Sequence, residues 1–239
     1  MKNTRFIFVL ITFLFLAAGC ASQNRAVLID DRGEIALVSM VSNMYVFWHG
    51  EDPIGPEVVG FLAPRALRTN PDIVVAAKTD ELINTAEMMF RDALANSSVI
   101  NLAERERVFS SQAYRNARLQ RRRIYDDMAM PEGFRFVDSR DRDFLSALAV
   151  ETGIQRSMFV EFDFTKSMAG GFGQSGNLRA NLTMRLLVLD SQGRTVFRNS
   201  YSLWSDSTIN VSGGTYSQSA MIELFESALR DIYDDFLFH

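Results

Sequence analysis

The chain has 239 residues, 47% of them hydrophobic and 19 of them Phe, with a formal net charge of −4. That is enough apolar material for one sizeable core and suits a single domain, while the acidic balance argues against a nucleic-acid partner. One Cys excludes an internal disulfide or a Cys-Cys metal knuckle. His49 and His239, the only histidines, support neither a His-rich metal site nor a Ser-His-Asp constellation, so no metal, cofactor or catalytic residue is assigned.

The first element is "MKNTRFIFVLITFLFLAAGC", where Lys2 and Arg5 precede an apolar run from Phe6 to Ala18 and small residues lead to Cys20. This is the layout of an export signal, and the run is shorter than the roughly 20 residues a spanning helix needs. "LAAGC" resembles the lipobox of bacterial lipoproteins, with Ala17 where Leu is usual and Leu16 one place further out. The resemblance implies cleavage before Cys20, acylation of its thiol and of the new amino end, and attachment to a membrane without spanning it. Each buried CH2 contributes about 0.8 kcal/mol, so several acyl chains anchor firmly where one does not. The expected division is a signal peptide at 1–19, an acylated anchor and short linker at 20–25, and one globular domain at 26–239. Ala21 after the cysteine, in place of Asp, points to the periplasmic face of the outer membrane.

"AVLID", the turn residues of "DRG" and "EIALVSMVSNMYVFW" read as two strands about a turn. From 49 to 78 four prolines and three glycines break any periodicity, yet "EVVGFLAPRAL" within this insertion is apolar. It either packs down on the domain or offers an exposed patch to a partner or a lipid. "TDELINTAEMMFRDALANSS" is a helix with Thr79 as N-cap and Leu82, Ala86, Met89, Phe90, Ala93 and Leu94 on one face. "SVINL" reads as a strand and "AERERVFSSQAYRNARLQRRRIYDD" as a charged helix with a weak apolar stripe. Asp138 or Ser139 is expected to cap a helix carrying Phe144, Leu145, Leu148 and Ala149, which Gly153 ends in the left-handed conformation. Period-two alternation then marks strands through Met158–Phe164 and Leu178–Val188. "DSQG" is a turn, "RTVFRNSYSLW" a returning strand, and a helix from about Ser217 carries Met221 to Phe236 on one face.

Residues 171 to 176, "GFGQSG", spell G-x-G-x-x-G. In a dinucleotide fold that motif joins a strand to a helix whose N-terminus receives the pyrophosphate, whereas here a strand follows. "MAGGFGQSGN" is therefore expected to be a flexible hairpin loop with Phe172 at its tip, a candidate partner contact. Arg115, Arg118, Arg121, Arg122 and Arg123 form a basic cluster in an acidic chain, either a solvated helix face balanced by Asp126 and Asp127 or a contact for anionic head groups or an acidic partner. Glu161 and Asp163 share a strand face, and cross-strand ion pairs with Arg179 and Arg185 explain them better than acid–base catalysis does.

The expected fold class is α/β (α+β): a mixed sheet of about five strands with a long antiparallel hairpin, backed by three to four helices. In "IALVSM", "TDELINTAEMMFRDALANSSVINLAERERVF", "FLSALAVETGIQRSMFVEFDF" and "LTMRLLVLDSQGRTVFRNSYS" the chain resembles the periplasmic domain of penicillin-binding-protein activator lipoproteins and curli-secretion-channel lipoproteins, related in fold to anticodon-binding domains. The resemblance implies a non-enzymatic envelope protein that binds or regulates other envelope machinery. No additional pair of long segments supplies the membrane-spanning hairpins of the channels, so it implies an accessory protein in contact with an envelope protein. A carrier of lipid or a small hydrophobe is the alternative, with the Phe-rich interior or "EVVGFLAPRAL" as its binding element.

Overall fold

The computed structural model describes residues 33–49, 72–74, 76–97, 100–120, 128–172 and 175–238. Cys20, "AVLID", the interior of the 49–78 insertion and Arg121, Arg122 and Arg123 lie outside them, as does the side chain of Phe172. The elements are β1 (Ile35–Asn43), β2 (Phe47–Trp48), β3 (Ile73–Val74), α1 (Asp80–Ser97), α2 (Arg105–Phe109), α3 (Gln112–Asn116), β4 (Met128–Ala129), α4 (Arg142–Thr152), β5 (Arg156–Phe172), β6 (Ser175–Asp190), β7 (Thr195–Trp204), β8 (Ile209–Val211), β9 (Tyr216–Ser217) and α5 (Gln218–Phe238). The mixed sheet and its helical backing are as expected. Among the described residues it has seven strands, because three pieces of two or three residues add to the four long runs, and there are five helices.

The sheet runs β4-β1-β5-β6-β7, with β2 on β5 and β8 on β6; β3 and β9 pair separately. β1 and β5 are parallel, whereas β5, β6 and β7 form an antiparallel meander. Every residue from 35 to 42 is buried, which is how a continuous apolar run behaves when protein covers both strand faces. On the inner face Met40, Met158, Val160, Phe162, Phe164 and the even-numbered residues from Leu178 to Val188 of β6 pack against α1 and α5. On the outer face Ala36, Val38, Phe159 and Leu189 pack beneath α2, α3 and α4. The apolar face expected of the last helix is buried, joined by Ile222, Tyr233 and Leu237. The Tyr233 hydroxyl donates to the carbonyl of Ala86 at 2.8 Å and fastens α5 to α1.

Polar groups splice β1 to β2. The Asn43 side chain donates to the Phe164 carbonyl and accepts from its N–H, both at 2.8 Å, so a side-chain amide continues the ladder past the end of β1. Lys166 follows the inward positions of β5 and is 2% exposed. Its Nζ donates to the Val46 carbonyl and to the Tyr216 hydroxyl, each at 3.1 Å, and that hydroxyl accepts from Ala77 N–H at 2.9 Å. The ammonium also faces the rings of Tyr216 and Trp48, 4.7 and 5.1 Å from their centroids. One buried cation thus ties β2, β5, β9 and the exit of the insertion together. That exit packs on the domain, with Ala77 buried and Val74 against the core.

Five local expectations are corrected. The Thr79 hydroxyl donates to the Asn43 carbonyl, so α1 starts at Thr79 but its side chain serves the strand. In "SVINL", of which Ser98 and Val99 lie outside the described residues, residues 100–102 make one parallel bridge, Leu102 to Ile35, in place of a strand. The charged helix breaks at Ser110 and Ser111 into α2 and α3, because Ser111 accepts from Tyr114 N–H and starts a new helix. Only Val108 and Tyr114 bury side chains in these two pieces, too few for one continuous apolar face. Asp141, not Asp138 or Ser139, caps α4 by accepting from Phe144 N–H at 3.1 Å; Gly153 ends it with φ 77°. Finally, the glycine-rich stretch is strand: pairing continues through Gly170–Asn177 and Gly171–Gly176 to Phe172–Ser175. A Cβ on Gly171 would sit 2.3 Å from the Ser175 carbonyl oxygen, and one on Gly176 would sit 2.1 Å from that of Gly170. The two glycines therefore let two backbones approach each other, not a pyrophosphate.

Candidate contact surface

The described helices cover only part of the outer sheet face. α2, α3 and α4 sit over β1 and the start of β5, and among the described residues no helix covers β6, β7 or the far part of β5. Strand register places the outward side chains in rows: Ser39, Phe159, Leu187 and Arg198; then Val41, Glu161, Arg185 and Ser200; then Asp163, Thr183 and Ser202. Where the helical layer stops, a groove of about 420 Å³ opens between Phe136, Val137, Ser139 and Gln120 on one wall and Arg185, Arg198 and Ser200 on the other. Phe159, Val41 and Leu187 form its apolar floor.

The ionisable groups here are largely committed to one another. Arg185 pairs with Asp163 and, at 3.6 Å, with Glu161, the expected cross-strand arrangement. Attraction to the two carboxylates holds the guanidinium pKa above its ordinary value against the opposing effect of burial. Arg179, expected to join that network, instead lies over the Trp204 ring at 4.2 Å. His49 meets the same ring edge-on at 4.9 Å and reaches the Thr165 hydroxyl at 3.3 Å. Trp204 and Arg198 went unassigned in the sequence, although register from the two hairpin turns brings both to this face. Arg198 is exposed and makes no ion pair among the described residues.

Of the sequence-assigned contact residues, Arg115, Arg118 and the backbone of Phe172 fall among the described residues. Arg115 is exposed, and its guanidinium donates to the Ser110 carbonyl at 2.6 Å. Arg118 lies beyond α3 and pairs with Asp138 at 2.8 Å, while Asp126 and Asp127 lie outside the described residues. Phe172 is at the tip of the β5–β6 hairpin, at the other end of the sheet from the start of β5. Among the described residues no group of three His, Cys, Asp or Glu could hold a metal, and no helix is long and apolar enough to cross a membrane.

No family model and no curated protein matches the chain. Among solved structures, the LpoB C-terminal domain from Salmonella enterica is 15% identical over 72% of this chain and 83% of its own, with a TM-score of 0.30. Lipoprotein GNA1162 from Neisseria meningitidis is 14% identical over 83% of this chain and 96% of its own, with a TM-score of 0.35. The chain is similar to these two proteins at a level that assigns no role to any of its residues.

Proposed function

We propose that this chain is a membrane-anchored lipoprotein that acts as a non-enzymatic accessory or scaffold in the cell envelope, through protein contacts. The lipobox-like "LAAGC" supports acylation of Cys20, and Ala21 supports the periplasmic face of the outer membrane. The observation that carries the contact role is the groove on the outer face of β5, β6 and β7, which no described helix covers. Its groove joins an apolar floor to a polar rim, the composition of a protein-binding surface. With Glu161 and Asp163 both held by Arg185, that face is built for recognition and not for proton transfer.

The test is to cross-link the acylated protein in native membranes, purify it in mild detergent and identify what accompanies it. A stoichiometric envelope protein, lost on Arg198→Glu or on replacing the arginine cluster, is the expected result. Stoichiometric lipid without protein would replace this reading with the carrier. Cys20→Ser should abolish incorporation of labelled palmitate and release the domain from the membrane fraction; retained label refutes the anchor alone.

A further inference from the structure

The two ends of the 49–78 insertion meet at Lys166, where four hydrogen bonds close a ring. Lys166 Nζ donates to the Val46 carbonyl and to the Tyr216 hydroxyl, each at 3.1 Å. Val46 N–H donates to the Ala77 carbonyl at 2.8 Å, and Ala77 N–H donates to the same Tyr216 hydroxyl at 2.9 Å. All four residues are at most 2% exposed. Further bonds extend from the ring on both sides. His49 N–H donates to the Lys166 carbonyl at 2.8 Å, and Thr79 N–H donates to that of Met44 at 3.0 Å. Asp72 accepts from Gln218 N–H on its carbonyl at 2.7 Å and from Ser219 N–H on its carboxylate at 2.8 Å. The strands concerned, β2, β3 and β9, have two residues each, too short to be held by their own ladders.

We propose that this ring makes residues 44–49, 72–74 and 76–79, β9 and the first turn of α5 one latch, which opens all at once while the β5–β6–β7 meander stays folded. A buried polar group that loses its partner costs more than the bond it made contributes, and most when the group is charged. Withdrawing Tyr216 deprives both the ammonium and Ala77 N–H; withdrawing Val46 deprives the ammonium and the Ala77 carbonyl. States with one bond broken are therefore disfavoured, and the ring is either closed or open. The latch is also the weakly attached part of the sheet. It reaches β5 through two residue pairs, Phe47–Thr165 and Trp48–Lys166, whereas long ladders join β5, β6 and β7. Segments that move on binding are drawn from such low-stability units. A ligand that holds either end of the insertion elsewhere must open the whole latch, so the domain responds in two states and not by degrees.

The test is residue-resolved amide exchange of the full chain in mild detergent, with urea raised in small steps below the unfolding transition. In the parent chain the N–H groups of Val46, His49, Ala77, Thr79 and Ser219 should share one protection factor and one urea dependence. That dependence should be shallower than the one shown by Leu182 to Val188 in β6, because less surface is exposed when the latch alone opens. Asp72→Ala removes the acceptor of Ser219 N–H, yet it should also quicken exchange at Val46 and His49, on the entry side, at least tenfold. Tyr216→Phe removes one hydroxyl from the ring and should quicken the same two residues by a similar factor, with β6 unchanged. Protection factors that differ among the five residues of the parent chain, or that match those of β6, overturn the proposal. So does acceleration confined to Ser219 in Asp72→Ala or to Ala77 in Tyr216→Phe.

Discussion

At the residue scale, three buried tyrosines make the fold sensitive to alkali. Burial pushes the Tyr114 phenol up to about 12 against an opposing hydrogen bond from Arg135 N–H. Burial likewise raises Tyr216 and Tyr233. Each holds its proton more tightly folded than unfolded, so its contribution is whole below the ordinary value near 10 and is lost as pH rises through the folded value. The urea midpoint should therefore fall between pH 10 and 12, with tyrosinate absorbance rising together with unfolding, and Tyr114→Phe should flatten part of that loss. By contrast, Arg185 is half exposed and its ion pairs are screened. Glu161→Gln should cost no more than about 1 kcal/mol in the same assay. Lys166 was legible in the sequence, because Met158, Val160, Phe162 and Phe164 project it inward at period two. Its partners were not, because Val46, Ala77 and Tyr216 come from elements far apart in the chain.

Elements with strong periodicity were readable; those fixed by distant partners were not. α5 and the β5–β6–β7 meander follow their patterns because one continuous apolar face decides each. Phe225 illustrates this: it is fully buried and edge-on to Phe164 at 5.1 Å, so Phe225→Ala should lower stability by about 3–5 kcal/mol in urea unfolding. α3 depends instead on a borrowed cap, since the Glu151 carboxylate accepts from the N–H groups of Gln112 and Ala113 at 2.6 and 2.9 Å. These bonds hold the Glu151 pKa below the usual carboxylate range, so the cap is complete near neutrality and is lost as pH falls through that lowered value. Hydrogen exchange in α3 should quicken in Glu151→Ala while α5 is unaffected. In the hairpin, the glycines looked like a loop because glycine marks turns, but close backbone approach requires them in a strand as well. Gly171→Val forces a Cβ into the Ser175 carbonyl at φ 132° and should destabilise the tip by about 1–3 kcal/mol, seen as faster exchange from 168 to 178.

Across the whole molecule, charge is segregated along the sheet. At the start of β5 are Glu34, Arg107, Arg156, Asp190 and Arg194, with Arg107 bridging Glu34 at 2.6 Å and Arg194 bridging Asp190 at 2.6 Å. Residues 167–178 and 207–222, which the fold brings together at the hairpin end, contain no charged side chain, and the Asp72 carboxylate accepts from Ser219 N–H beside them. Seventeen residues of β5 separate the two ends by about 55 Å. If the chain is tethered through Cys20, a pull from the membrane reaches the domain at the start of β1, while a partner held at the hairpin tip pulls on the far end of β5. Because β1 and β5 run parallel, the load falls along their ladder, and its hydrogen bonds must stretch together instead of parting one at a time. So anchored and so held, the long strand would make the domain a shear-loaded joint between anchor and partner.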